Sequence, residues 1–190
     1  MIRRTIAAVA VGIMIAALFA PIILASNAEA RNIIVVDGTG RDGAVLHAPE
    51  ITPGDTVTNI VYPGTVLWPS YNRSVDAGKQ ALREALAEAP ENTLVVGYSQ
   101  GSRIVGDVLT EEQKSGVEGV LYSDPRQAGA GIETQLPFNL PGATMSGERE
   151  GFAVPVESHC IESDGVCDWS NADPVGSIVG YLRYHPTYFN

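Results

Sequence analysis

From Arg31 onward, short runs of aliphatic and β-branched residues alternate with longer stretches that carry helical periodicity or turn residues. Ile33 to Val36 is apolar at every position, the pattern of a central strand buried on both faces, and Asp37-Gly38-Thr39-Gly40 follows as a flexible turn. Thr58 to Tyr62 reads as the next strand, stopped by Pro63-Gly64. Ser74 is then placed to cap a helix with Val75, Leu82, Ala85, Leu86 and Ala89 on one face and Lys79, Arg83, Glu84 and Glu88 elsewhere, with Pro90 beyond its end. The rhythm continues as a strand at Thr93 to Val96, a helix at Ser102 to Leu109, a strand at Gly119 to Tyr122, a strand at Phe152 to Val156 and a last helix at Val175 to Tyr184. Strands alternating with helices in this way predict an α/β class, a single domain with a mainly parallel central sheet flanked by helices.

One stretch breaks the alternation. Pro125 to Glu150 is long, is punctuated by Pro125, Pro137 and Pro141, and has an apolar centre of Leu136, Phe138 and Leu140. Two readings stand side by side: a flap whose three apolar side chains bind substrate over a greasy site, or a loop that they pin to the core.

The N-terminal stretch has a different character. Arg3 and Arg4 precede an uncharged apolar run from Ile6 to Ala25, and Ala28-Glu29-Ala30 offers a small-x-small cleavage site. Residues 1–30 are therefore expected to be a signal peptide, and 31–190 the folded domain. An uncleaved anchor is the competing reading, against which Pro21 and the Ala/Ser/Asn-rich end of the run argue.

Charge narrows the partners. The 190 residues carry a formal net charge of −10, which leaves no basic stripe for a phosphate backbone, so nucleic acid and anionic lipid surfaces are poor partners and neutral or apolar substrates stay open. The 2 cysteines, Cys160 and Cys167, lie close together, and in an oxidising compartment they would form one short-range disulfide. A zinc site would need further nitrogen or sulfur ligands that the adjoining His159 alone does not supply, and no metal or cofactor is expected.

Gly97-Tyr98-Ser99-Gln100-Gly101 fits G-x-S-x-G, a sharp strand-to-helix turn that lifts a serine hydroxyl clear of a sheet. The motif follows the strand Thr93 to Val96 and precedes a helical pattern, the context its mechanics require. A nucleophilic serine needs a histidine base and a carboxylate to orient it, and in α/β-hydrolases these follow in the order Ser, Asp or Glu, His. His185, just after the last helix, suits that order; His47 precedes the serine, and His159 abuts Cys160. Asp164 lies inside the loop that a Cys160–Cys167 disulfide would close and is favoured as the acid, with Asp168 and Asp124 as alternatives.

These segments together resemble a known family. The Gly97 to Gly101 motif, the Cys160-x-x-x-Asp164-x-x-Cys167 spacing and His185-Pro-Thr-Tyr188 resemble cutinases, and Val61 to Gly64, Ser74 to Gly78 and Asp124-Pro125-Arg126 look closer to the PE-PPE branch of actinobacterial serine esterases. The resemblance implies an oxyanion hole from the backbone N–H of Gln100 and a second donor around Thr39. It also implies a secreted or envelope-associated serine esterase, a monomer, acting on a lipid or other acyl-ester substrate through Ser99, Asp164 and His185. The chain departs from the pattern in lacking cysteines for a second disulfide and in the longer run between Asp164 and His185. Trp68, Tyr71 and Trp169 are candidates for an acyl site, or for the core. Two other outcomes stay open: an acyltransferase that moves chains onto envelope glycolipids, and a catalytically idle protein that binds lipid or a partner on the same frame.

Overall fold

The computed structural model describes residues 30–41 and 43–189, so the expected signal peptide lies outside the described residues apart from Ala30. Five strands form one sheet: β1 (Asn32–Val36), β2 (Thr56–Asn59), β3 (Thr93–Tyr98), β4 (Val117–Tyr122) and β5 (Val156–His159). Their order is β2-β1-β3-β4-β5, and every neighbouring pair is parallel. The helices are α1 (Tyr71–Glu88), α2 (Gln100–Glu111), the short α3 (Ile132–Gln135) and α4 (Pro174–Arg183). The α/β class and the parallel α/β-hydrolase sheet expected from the sequence are both present.

Burial explains the strand patterns. In β1, Ile34 and Val36 face a core shared with Leu82 and Leu86 of α1 and Ile104 and Val108 of α2, while Ile33 and Val35 face a second core. A strand buried on both faces has no polar side to expose, hence the unbroken apolar run. The second face is closed by Val45 and Ala48, at a 3-10 turn, and by Tyr188 and Phe189 near the chain's end.

Three elements depart by more than two residues from the sequence-based expectation, each for a local reason. β2 runs over Thr56–Asn59 with all four residues exposed, because it is an edge strand and needs no apolar face; Ile60, beyond it, is the residue that plugs the core. β5 is Val156–His159 rather than the more apolar Phe152 to Val156, since Val156 is the residue that meets Gly119 in the ladder, and Phe152 packs under the Arg149 guanidinium at 5.8 Å. The first helix begins at Tyr71 with Ser70 as its N-cap residue. Ser74 lies inside it, buried, where its hydroxyl accepts from Thr65 N–H (3.1 Å) and donates to Gln100 Oε1 (3.3 Å).

The strand order positions the site. From β1 the chain passes to β2 on one side and returns through α1 to β3 on the other, so the loops after β1 and β3 diverge at their carboxyl ends. Such a switch point opens a crevice above the sheet. Gly38-Thr39 follows β1 there, and Ser99 follows β3.

Candidate active site

Ser99 stands between β3 and α2 with φ 56° and ψ −119°, a conformation that a serine adopts only when its surroundings impose it. The imposition is steric. A Cβ on Gly101 would lie 1.9 Å from the Val36 carbonyl oxygen, and one on Gly38 would lie 2.9 Å from Ser99 Cβ, so glycine at both positions lets the turn press against β1. The hydroxyl is thereby held above the sheet's carboxyl edge.

His185 opens a 3-10 turn directly after α4 and is buried. Its Nε2 lies 3.0 Å from Ser99 Oγ. Its Nδ1 lies 3.1 Å and 3.0 Å from the two oxygens of Asp164, which is fully buried. Tyr98 stacks on the imidazole with centroids 4.9 Å apart and donates its hydroxyl to the His185 carbonyl oxygen at 2.5 Å, fixing both ring and backbone. Burial pushes the Tyr98 phenol well above its usual value, so it remains a donor.

Asp164 is held by its loop and by its hydrogen bonds. Cys160 and Cys167 are disulfide-bonded across it, as expected, with Cα atoms 5.8 Å apart. Its carboxylate accepts from Ser123 Oγ (2.5 Å), Tyr188 Oη (3.0 Å) and Val166 N–H (3.1 Å) besides the imidazole. Burial alone would raise the Asp164 carboxyl, but the hydrogen bond and charge of His185, the Ser123 hydroxyl and the Val166 N–H outweigh it and hold it below the usual range. Sequence reasoning misses Ser123, and it reaches Tyr98 and Tyr188 only as parts of the serine and histidine segments. Nothing in a single sequence marks Ser123, since its contribution needs both a backbone angle and the convergence of distant loops.

The other candidates lie elsewhere. His47 is exposed in its 3-10 turn, and His159 stacks on Tyr122 beside Glu157. Asp168 accepts from Ser163 N–H at 2.7 Å, and Asp124 pairs with Arg149. Among the described residues no group of three or more His, Cys, Asp or Glu side chains is placed to hold a metal.

Ser99 and His185 open onto a cleft of about 770 Å³. Thr39 and Gln100 line it beside the serine. Gln100 is the first residue of α2, where helical geometry leaves backbone N–H groups without intrahelical acceptors. The Gln100 side chain turns away, donating to Thr65 O at 3.0 Å. The remaining wall is largely apolar: Val66 and Leu67 precede α1, Leu140 and Met145 come from the long segment, and Leu182 from α4.

Of the three side chains expected to touch substrate, Leu140 lines the cleft, whereas Leu136 and Phe138 do not, and Phe138 is 58% exposed. The reason is the short helix α3, which turns the segment so that Ile132 and Glu133 face the cleft and Phe138 faces outward. Tyr71 also lines the cleft; Trp68 is exposed outside it, and Trp169 donates to Asn171 Oδ1 at 2.9 Å.

The chain is 35% identical over 135 residues to the Carboxylesterase Culp6 homolog of Corynebacterium glutamicum, an alignment covering 52% of this chain and 44% of that relative, so the chain spans under half of the relative's length. Among solved structures it is similar to a cutinase-like protein from Cryptococcus sp., with 20% identity, a TM-score of 0.49 and coverage of 80% of this chain and 91% of that one. It is also similar to a pyrethroid hydrolase from Sphingobium faniae JZ-2, with 18% identity, a TM-score of 0.39 and coverage of 60% and 48%. The family model described as Cutinase matches residues 25–189, which takes in every strand and helix described above, and the chain belongs to the cutinase family.

Proposed function

We propose that the protein is a secreted serine esterase that cleaves fatty-acyl or related lipid esters through an acyl-enzyme. The observation that carries this reading is the 3.0 Å approach of Ser99 Oγ to His185 Nε2 at the mouth of an apolar cleft. The Ser99 proton passes to Nε2 as Oγ attacks the ester carbonyl, and Asp164 stabilises the imidazolium that forms. The developing oxyanion is held by the Gln100 N–H and a donor around Thr39. Collapse expels the alcohol, which takes the proton from Nε2, and water then enters by the reverse sequence to release the acid and restore Ser99.

Secretion is supported by the Cys160–Cys167 disulfide, which persists in oxidising compartments, together with the basic and apolar N-terminal sequence. An idle binding protein would have no need to hold serine, imidazole and carboxylate within hydrogen-bond reach.

Hydrolysis of p-nitrophenyl esters of graded chain length, with the protein and with Ser99→Ala, tests the reading. The variant is expected to lose kcat by about 10⁴-fold or more. Equal hydrolysis by both proteins would overturn it.

A further inference from the structure

We propose that Ser123 is a positioning residue for His185 and Asp164, its hydroxyl bridging the carboxylate and the imidazole so that the ring is held with Nε2 bare towards Ser99. This rests on the esterase reading for its catalytic consequence, though the bridge itself is a property of the resting protein.

The backbone supplies the first observation. Ser123, the residue after β4, has φ +54°, in the left-handed region where glycine is at ease and a serine is not. Its N–H donates to the His159 carbonyl at 2.9 Å, which any residue would do. Serine there is strained for a side chain that is completely buried, so its hydroxyl must return something.

The second observation is a proton count. Ser123 Oγ lies 2.5 Å from Asp164 Oδ2 and 2.9 Å from His185 Nδ1, and Nδ1 lies 3.0 Å from that same Oδ2. The carboxylate brings no proton. If Nδ1 also lacked one, the single Ser123 proton would have to serve both of its contacts, and Nδ1 would face the Asp164 oxygens lone pair to lone pair. With the proton on Nδ1, Ser123 donates to Oδ2 while its oxygen accepts from Nδ1–H, and each contact has one donor. The neutral ring then has no proton on Nε2, which is the acceptor that Ser99 requires at 3.0 Å. During turnover only the Ser99 proton moves; the Nδ1 and Ser123 protons stay in place. Tyr188 and Val166 donate to Asp164 but do not touch the ring nitrogen, so neither duplicates this bridge.

The test compares Ser123→Gly with Ser123→Ala in the full chain. Both remove the hydroxyl, but glycine also relieves the left-handed strain and so is expected to melt above Ser123→Ala. Both variants are expected to lose kcat roughly tenfold, the rate equivalent of one hydrogen bond to a charged group, with KM little changed. Because Asp164 still faces Nδ1, nitrogen NMR of the imidazole in the resting protein is expected to show Nδ1–H with bare Nε2 in the parent and in both variants, with the Nδ1–H signal shifted in both variants by loss of the Ser123 acceptor. Ser123→Gly with parental kcat and unchanged ring-nitrogen signals would overturn the proposal. Undiminished hydrolysis by Ser99→Ala would instead sink the esterase reading, while the nitrogen signals would still decide whether Ser123 bridges Asp164 and the imidazole.

Discussion

Arg103, on α2, donates through Nε to both carboxylate oxygens of Glu133, at 2.9 Å and 3.1 Å, with both residues buried. The pair ties the helix that follows Ser99 to the 125–150 segment that walls the cleft. Around it, Asp107 pairs with Arg103, Arg126 and Arg149, Arg149 reaches Asp124, and Tyr71 donates to Glu133 Oε1 at 2.7 Å. The segment is therefore fastened by ion pairs beneath its apolar surface, which is a different device from a loop pinned by greasy side chains.

Removing one partner of a buried pair leaves the other charged and desolvated. Glu133→Ala is therefore expected to destabilise the fold by about 3 kcal/mol, since Arg103 would keep only the Asp107 carboxylate, which it shares with Arg126 and Arg149. Arg83 and Glu111 are as close, at 3.0 Å, but both are exposed, and Glu111→Ala should cost less than about 1 kcal/mol. Urea midpoints of the two variants check the contrast; similar losses would mean that burial is not what makes the Glu133 pair matter.

Chain-length selectivity should follow the cleft wall. Leu140 and Leu182 line it, and Phe138 does not. Leu182→Ala should reduce kcat/KM for long acyl esters more than for acetate, by up to about 0.8 kcal/mol for each methylene that loses its contact. Phe138→Ala should leave the series nearly unchanged. A graded p-nitrophenyl ester series measures both, and a long-chain deficit confined to Phe138→Ala would reassign the wall.

The pattern of what the sequence revealed follows burial. β1, β3 and β4 are legible because strands inside a parallel sheet must be apolar on both faces, and the serine turn is legible because its glycines are sterically required. The edge strands are hidden: Thr56–Asn59 is exposed throughout, and Val156–His159 carries Glu157 and Ser158. Ser74 reads as a cap on paper, and only the hydrogen bond of its buried hydroxyl to Gln100 shows that it lies inside the helix. The ion-pair network is likewise invisible in one dimension, since Arg103 and Glu133 are 30 residues apart and Arg149 and Asp107 are 42 apart.

Acid should weaken the fold partly through Asp164. Its folded-state carboxyl sits below the ordinary aspartate value of 3.8, so it binds protons less readily than in the unfolded chain. The resulting stability is present above about pH 4 and is lost as pH falls through the depressed folded value. Asp164→Asn removes that titration. The parent should therefore lose more stability than the variant between pH 7 and pH 3 in urea unfolding, and parallel losses would show that Asp164 is not a source of the acid sensitivity.

The disulfide offers a separation between stability and activity. Cys160 and Cys167 are 7 residues apart, and closing so short a loop contributes about 2–3 kcal/mol in the chain-entropy picture. Asp164 lies inside that loop, and Tyr188 holds it from outside by donating to Asp164 while accepting from Ile161 N–H at 2.8 Å. Replacing both cysteines by serine leaves the Tyr188 and Ser123 contacts available, so the sheet should remain folded at neutral pH. The loop would sample more conformations, and the fraction with Asp164 on His185 Nδ1 would fall. The expected result is a drop in kcat of several-fold with KM nearly constant, and a further drop on adding Tyr188→Phe that exceeds the effect of Tyr188→Phe in the disulfide-bonded protein. Additive effects of the two changes, measured as a double-mutant cycle on kcat, would show that the disulfide and Tyr188 do not act on Asp164 together.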